Sequence, residues 1–502
     1  MCPAKTIMLQ GTASDVGKSI VTTALCRIFL QDGWKVAPYK SQNMALNSYV
    51  TLDGKEIGRA QGVQAEACGI AATTDMNPIL IKPTREMSAQ IVVHGKPHAE
   101  MSARRYREEY LPLAAEIVRA SLAQLTAGYD IVVIEGAGSP AEINLKSRDI
   151  VNMRVAEWAE APVILIADID RGGAFASIIG TLELLEAHER ERVKGFIINK
   201  FRGDPSLLQS GLEWLEERTG IPVLGVIPHL PGLGIEAEDS VALDRRDRGP
   251  AETRDIDIAV IRLPRISNFT DFEPLEAEPD VSVRYVFKPE QLGHPDAIVL
   301  PGSKNTIEDL MLLRESGLAD AILGKAETGC RIVGICGGYQ MLGRTLKNPY
   351  RVESSLEEAE GLGLLPLETI FCREKRTIRV AGVVDCGHGD WQPLNGLPVE
   401  GYEIHAGRTA RLGPAAPLFR IGEDRDGALS EDGTVWGTYL HGIFNNDDFR
   451  RGWLDRLRAA KGLQPVGLPA PVQNRRDAAI NRLADHVRNH LQVGKLYEVM
   501  GL

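Results

Sequence analysis

Short apolar runs alternate with helix-length segments through the first half of the chain. The runs are "KTIML" (5–9), "KVAPY" (35–39), "DIVVIE" (130–135), "PVILIA" (162–167), "GFIIN" (195–199) and "PVLGVI" (222–227). Runs this apolar predict strands buried on both faces, and so a parallel sheet covered by helices. Stretches 20–31 and 110–125 have the length and pattern of the covering helices. The pattern breaks at "DRRDRGPAETRD" (244–255), which is charged, holds Gly249-Pro250 and has no apolar period. A second series follows: "IDIAVIRL" (256–263), "VSVRYV" (281–286), "DAIVLPG" (296–302) and "CRIVGIC" (330–336), then "TIRVAGVV" (377–384) and "TVWGTYLHG" (434–442). In "DAAINRLADHVRNHL" (477–491), Ile480, Leu483, Ala484, Val487 and Leu491 fall on one helical face. The expected fold class is α/β with two doubly wound domains. The expected boundaries are 1–245, a linker at 246–255, 256–455, and a C-terminal strap and helix at 456–502.

Bulk properties narrow the function class. A chain of 502 residues exceeds one ordinary core. Its 44% hydrophobic and 25% charged content is that of a soluble globular protein. No run of about 18 uncharged apolar residues exists, so no membrane span is expected. A start that leads directly into a strand, with no basic-then-apolar leader, predicts a cytoplasmic protein. The cysteines are odd in number and lack CxxC spacing, which argues against a disulfide framework or a zinc site. A net charge of −11 disfavours nucleic acid as a partner. An acidic small molecule would need a local cationic pocket.

The first chemistry-bearing motif is "GTASDVGKS" (11–19). The common phosphate loop, G-x-x-x-x-G-K-[ST], would place its first glycine at Thr12; here it is Gly11. The loop lies between a strand and a helix, where backbone amides and the helix dipole favour phosphate. Gly11, Thr12, Asp15, Val16 and Gly17 would form the cradle, Lys18 would reach the β/γ-phosphates and Ser19 would ligate Mg²⁺. Glu135, ending a buried strand before "GAG", is placed as a second Mg²⁺ ligand. Asn199, ending a later strand, suits an adenine edge. Together "GTASDVGKS", "EGAG" and "NK" resemble the dethiobiotin-synthetase-like ATPases. That resemblance implies ATP, Mg²⁺ and carboxyl activation through a phosphorylated intermediate.

The second motif is "GICGGYQ" (334–340). A cysteine that ends an apolar strand and opens a helix sits on a sharp elbow. The helix N-terminus favours its thiolate, and the Gly337 amide can face an oxyanion. G-x-C-x-G-x-Q resembles class I glutamine amidotransferase domains. The resemblance makes Cys336 the nucleophile, places Gly302 and Ser303 of "VLPGSKNT" with Gly337 and Gln340 around glutamine, and makes His441, about a hundred residues on, the base. One position departs from the pattern: Ile443 stands where a triad glutamate is usual. Glu403 in "GYEIHAGRT" is a candidate orienter, and His405 beside it a substrate or interface residue.

An ATP site and a cysteine glutaminase on one chain predict a glutamine-dependent amide ligase: one activates a carboxylate, the other releases unprotonated ammonia. "YKSQNMALNS" (39–48), "GRAQGVQAEACGI" (58–70), "MNPILIKP" (76–83) and "GYEIHAGRT" (401–409) resemble the cobyric acid synthase family of cobalamin biosynthesis, over nearly the whole chain. The resemblance implies amidation of the b, d, e and g carboxylates of adenosylcobyrinic acid a,c-diamide, giving adenosylcobyric acid. Lys40 is the expected meeting point of γ-phosphate and carboxylate; Gln42, Asn43 and Asn47 could bind amides or carboxylates, and could equally be turn formers. Lys82, Arg85, Lys146, Arg148 and Arg171 are further candidate cations, and Asp168 and Asp170 candidate Mg²⁺ or phosphate-loop residues. The competing readings are an a,c-diamide synthase, a cell-wall precursor amidase, or a nucleotide-binding module that ligates nothing.

Overall fold

The computed structural model describes residues 4–85, 88–102, 105–106, 110–235, 254–387, 389–467 and 471–502. The chain forms two compact units. The first is Met1–Ala45, Glu56–Glu236 and Asn474–Leu502; the second is Leu46–Lys55 and Ala237–Gln473. Most of the expected linker at 246–255 lies outside the described residues. The expected C-terminal segment is divided between the units, and residues 46–55 join the second unit although their chain neighbours on both sides belong to the first.

The first unit is built on strands β1 (Lys5–Gly11), β2 (Val36–Tyr39), β3 (Ile131–Glu135), β4 (Val163–Asp168), β5 (Val193–Phe201) and β6 (Val223–Pro228), in the order β6-β5-β4-β1-β3-β2, all parallel. These are the six apolar runs of the sequence, buried on both faces as their composition requires. Helices α1 (Lys18–Gln31) and α2 (Leu111–Gly128) occupy two of the intervening stretches. Ile480, Leu483, Ala484 and Val487 of the helix Val472–His490 pack into the core beside Ile7, Leu25 and Leu224, as their spacing predicts. A separate four-stranded sheet, Gln42–Met44, Ile79–Arg85, Ser88–Val93 and Lys96–Ser102, was not legible as apolar runs. Register brings functional groups to one edge: Leu9 pairs with Glu135, Gly11 with Ile166, and Asp168 with Asn199. The carboxyl ends of parallel strands are where open α/β sheets take ligands.

The second unit holds β7 (Ile256–Ile261), β8 (Val281–Val286), β9 (Ala297–Leu300), β10 (Arg331–Ile335), a long antiparallel pair β11 (Leu367–Val384) and β12 (Pro398–Arg411), β13 (Ala428–Leu429) and β14 (Val435–Thr438). Its main sheet runs β8-β7-β9-β10-β14-β13, parallel except for β13. Leu300 pairs with Gly334 and Ile335 with Thr438. The segments leaving β9, β10 and β14 therefore emerge together, carrying Gly302, Cys336 and His441. Among the described residues, no helix is long and apolar enough to cross a membrane.

Candidate functional site

In the first unit the glycine loop joins β1 to α1. Gly17 has φ +99°, in the region that glycine alone enters without strain. A Cβ there would stand 2.2 Å from Asn199 Nδ2, and one on Gly11 would stand 2.6 Å from Val16. Asn199 Nδ2 donates to Val16 O at 2.8 Å, so its amide braces the loop. Lys18 folds back over the loop, its Nζ 3.0 Å from both Ala13 O and Gly138 O. Thr12 N donates to Ile166 O. Asp15, in left-handed conformation, pairs with Arg171. Lys200 pairs with Asp168 at 2.8 Å.

Glu135 gathers this edge together. Ser19 Oγ donates to its Oε1 at 2.7 Å, Lys40 Nζ lies 2.9 Å from the same oxygen, and Gln64 Nε2 donates to Oε2 at 2.7 Å. Burial alone would raise the Glu135 pKa; Lys40, then Ser19 and Gln64, reverse that and hold the carboxyl below the usual range. The two expected metal ligands, Ser19 and Glu135, are thus in contact, with Lys40 beside them. Gln42 accepts from Tyr106, and Asn43 Nδ2 donates to Gln61 at 2.8 Å. Asn43 is buried in that contact, which ties its strand to the helix Arg59–Ala67. Three of the other candidate cations are paired: Arg171 with Asp15, the buried Lys82 with Glu56, and the half-buried Lys146 with Glu189.

In the second unit Cys336 has φ +51° and ψ −105°, a strained elbow for a side chain with a Cβ. Two residues to either side, Gly338 and Gly334 have no room for a side chain. A Cβ on Gly338 would lie 1.9 Å from Leu300 O, and one on Gly334 2.7 Å from Gly338. The Cys336 thiol donates to Ile404 O at 3.5 Å. Gly302 stacks its Cα side on His441, where a Cβ would stand 3.0 Å from Cε1. A Cβ on Gly337 would stand 2.8 Å from Ser303 N, which sets these backbone groups side by side. The Ser303 hydroxyl is turned to Asp309 at 2.7 Å, while its backbone nitrogen and Cβ lie toward Gly337. Gln340 is buried between Thr306, which donates to Oε1 at 2.8 Å, and Tyr439, which accepts from Nε2 at 3.2 Å.

His441 is 1% exposed, and its orienting partner is Asp271. Nδ1 lies 2.7 Å from Asp271 Oδ2, while Asp271 Oδ1 accepts from Gly442 N at 2.9 Å. Burial lowers the His441 pKa, but Asp271 and then Cys336 outweigh it and push the ring up to about 10. The Tyr402 ring stacks on the imidazole at 5.3 Å and 17°. Glu403 does not fill the orienting role expected of it: its carboxylate is held by Arg376 at 2.6 Å and His405 at 3.1 Å. His405 stacks on Tyr439 at 3.7 Å. These residues line a cavity of about 700 Å³ with Arg411 and Asp426. Asp271 escapes sequence reasoning because it lies far upstream of His441. Its signal is an acidic residue bracketed by Phe269 and Phe272, where an unpartnered charge would be costly to bury.

Among known proteins, residues 7–240 match the family model of the CobQ/CobB/MinD/ParA nucleotide binding domain, and residues 257–449 that of the CobB/CobQ-like glutamine amidotransferase domain. The chain is 55% identical to a cobyric acid synthase of Desulforamulus reducens, covering 100% of this chain and 99% of the relative. It is 54% identical to one from Geobacillus kaustophilus, covering 100% and 98%.

Proposed function

The chain belongs to the cobyric acid synthase family, a glutamine-dependent ligase family, and on that premise we propose that the two sites divide one amidation between them. The observation that carries the reading is the buried line Cys336–His441–Asp271 at the end of a parallel sheet. In the second unit, the Cys336 thiol passes its proton to His441 Nε2, and the thiolate attacks the γ-carboxamide carbon of glutamine. The oxyanion takes hydrogen bonds from backbone amides of Gly337 and the Gly302–Ser303 segment. His441 returns the proton to the leaving nitrogen, releasing ammonia and leaving a glutamyl thioester. Water, deprotonated by His441, then releases glutamate and restores the thiol. Asp271 keeps Nδ1 protonated, so that Nε2 presents its lone pair to the thiol.

In the first unit, a corrinoid carboxylate takes the γ-phosphoryl group of ATP, ADP leaves, and ammonia displaces phosphate from the acyl phosphate to give the amide. Gly11, Gly17 and the amides of the loop cradle phosphate, and Lys18 and Lys40 supply positive charge. Ser19 and Glu135 offer the hydroxyl and carboxylate oxygens that suit Mg²⁺, which when bound offsets charge on the phosphoryl group. The substrate supported by family membership is adenosylcobyrinic acid a,c-diamide, amidated at b, d, e and g.

The test compares wild type with Cys336→Ala, each given ATP-Mg²⁺, the a,c-diamide and either glutamine or ammonium, with mass spectrometry of the corrinoid. The expected result is stepwise loss of about one mass unit per carboxyl-to-amide exchange, with the variant active on ammonium alone. Unchanged corrinoid mass with steady glutamine hydrolysis would remove the substrate assignment. Glutamine-dependent amidation by Cys336→Ala would remove the nucleophile.

A further inference from the structure

The segment Leu46–Lys55 lies in the second unit, between two stretches of chain that lie in the first. Three of its anchors, Asn268, Tyr402 and Ile404, are residues that touch the thiol–imidazole pair. Asn47 and Ser48 are 1% and 0% exposed. Ser48 N donates to Asn268 Oδ1 at 2.8 Å, and Phe269 N donates to Asn47 Oδ1 at 3.2 Å. Val50 packs with Tyr402 and Ile404. Tyr402 is the ring stacked on His441, and it exchanges backbone hydrogen bonds with it; Ile404 O is the acceptor of the Cys336 thiol. Arg379 Nε clamps Val50 O at 2.7 Å while its guanidinium covers Tyr49.

Asn268 stands in the left-handed region at φ +51°, a conformation that asparagine tolerates better than most residues. Its amide has one allowed orientation. A backbone N–H can only donate, so the side chain that meets Ser48 N must do so through oxygen. Nδ2 is then the atom turned to His441, 3.3 Å from Nε2. With Nδ1 bound to Asp271, Nε2 carries the lone pair of the neutral ring, and Asn268 donates to it. Once Nε2 takes the Cys336 proton, two donors oppose each other. Asp271 and Cys336 favour the protonated ring; the Asn268 amide is set against it.

We propose that Leu46–Lys55 is a positioning strap that orients the Asn268 amide toward His441 Nε2 and thereby restrains proton transfer from Cys336. This rests on the glutaminase reading of the pair. The strap is continuous with Ala45 and Glu56, so a shift of its backbone at Ser48 reaches the imidazole through the Asn268 amide. If Ser48 N withdraws, the Asn268 amide can turn its oxygen to Nε2 and stabilise the imidazolium it now opposes. The charged and titratable groups facing the ring are Asp271 from the Phe269–Phe272 turn, Cys336 from the elbow and Tyr402 from β12. Glu403 is turned to Arg376 and His405, and Asp426 accepts from Thr438.

The experiment uses full-length protein and two readouts over pH 5–9: kcat and KM for glutamine hydrolysis, and the rate of Cys336 alkylation by iodoacetamide. Asn47→Ala loosens the strap without touching His441. Asn268→Asp keeps the acceptor for Ser48 N and replaces the opposing donor with a second acceptor. Both should move the acid limb of the alkylation profile to lower pH, Asn268→Asp by about one unit, or tenfold in rate on that limb. A merely structural strap would lower kcat and thermal stability and leave the profile in place, and that result in Asn47→Ala overturns the proposal. So does an Asn268→Asp profile superimposable on wild type, which also covers the case of an Asn47→Ala protein that does not fold. Wild-type glutaminase activity surviving in Cys336→Ala would instead sink the underlying reading, whatever the profiles show.

Discussion

Replacing Asp271 by Asn removes the charge behind His441 and keeps the shape. The structure sets the size of the effect. The carboxylate and imidazole are 2.7 Å apart, 3% and 1% exposed, and among the described residues no lysine or arginine pairs with either group. At an effective dielectric of about 20, two unit charges at that separation attract by roughly 6 kcal/mol, an upper limit for the imidazolium formed when Cys336 gives up its proton. Losing one partner of a buried pair costs about 3–5 kcal/mol in practice. Expressed on kcat for glutamine hydrolysis, this is about two to nearly four orders of magnitude. The assay is glutamate release beside ammonium-supported amidation, which should be unaffected. Glu403→Gln is the control, because its carboxylate serves Arg376 and His405; it should cost less than about tenfold. A second signature follows from the sign of the shift. His441 is raised to about 10 in the folded protein against 6.5 ordinarily. Its contribution to stability is therefore complete below 6.5 and is lost as pH rises through 10, so Asp271→Asn should flatten that decline. A loss smaller than tenfold in Asp271→Asn, or a larger one in Glu403→Gln, would refute the assignment of the orienter.

Three further outcomes are expected. Gly17→Ala should weaken ATP binding at least about tenfold through strain at φ +99° and the clash with Asn199. In a calorimetric double-mutant cycle, Gly17→Ala with Asn199→Ala should lose less than the sum of the singles, because the clash is then absent. Lys40→Met leaves Glu135 buried without its cation; it should lower thermal stability by about 3 kcal/mol and stop amidation from either nitrogen source, while glutamine hydrolysis persists. Glu353, which accepts from Thr306 N at 2.6 Å, is pushed by burial up to about 7 from 4.5. Its protonated form is the stable one, so its contribution is present below 4.5 and lost as pH rises through 7; thermal melts of Glu353→Gln should gain most over wild type at pH 8 and least at pH 4.5.

What could be read from the sequence was what is local along it. The main-sheet strands announce themselves because both faces are buried, and the loop 11–19 and the elbow 334–340 because strand, glycine and reactive side chain are consecutive. The sheet of Gln42–Met44, Ile79–Arg85, Ser88–Val93 and Lys96–Ser102 escaped because Lys96–Ser102 is mostly exposed and carries no apolar run. The second strand of the long hairpin, β12, was seen only as a motif, "GYEIHAGRT", since its burial alternates irregularly. Lys82, a candidate cation from the sequence, is a strand residue buried against Glu56. Asp271 and Asn47 were hidden for one reason: each acts on a residue hundreds of positions away or nearly so, and spacing carries no such information. Asn47 sits in a stretch whose neighbours belong to the first unit, so its partner Phe269 could not be inferred from its surroundings.

The two units answer one problem in opposite ways. Each buries a carboxylate, Glu135 in one and Asp271 in the other, at 1% and 3% exposure, and neither could stay charged there without donors. Glu135 takes its donors from Lys40, Ser19 and Gln64, and Lys40 keeps its charge throughout. That arrangement fixes charge in place, which suits holding phosphate groups while a carboxylate is activated. Asp271 takes its donors from the neutral amide of Gly442 and from an imidazole whose charge depends on a neighbour's proton. That arrangement lets charge arrive and leave within one turnover, as thioester formation and hydrolysis both demand. Exchanging the logic shows what each requires. A lysine in place of His441 would hold Asp271 firmly and have no neutral lone pair to offer Cys336. A histidine in place of Lys40 would leave Glu135 without a permanent counter-charge above the ring's titration. The geometry around each carboxylate therefore discriminates between a site that stores charge and one that moves it, independently of the motifs that first drew attention to either.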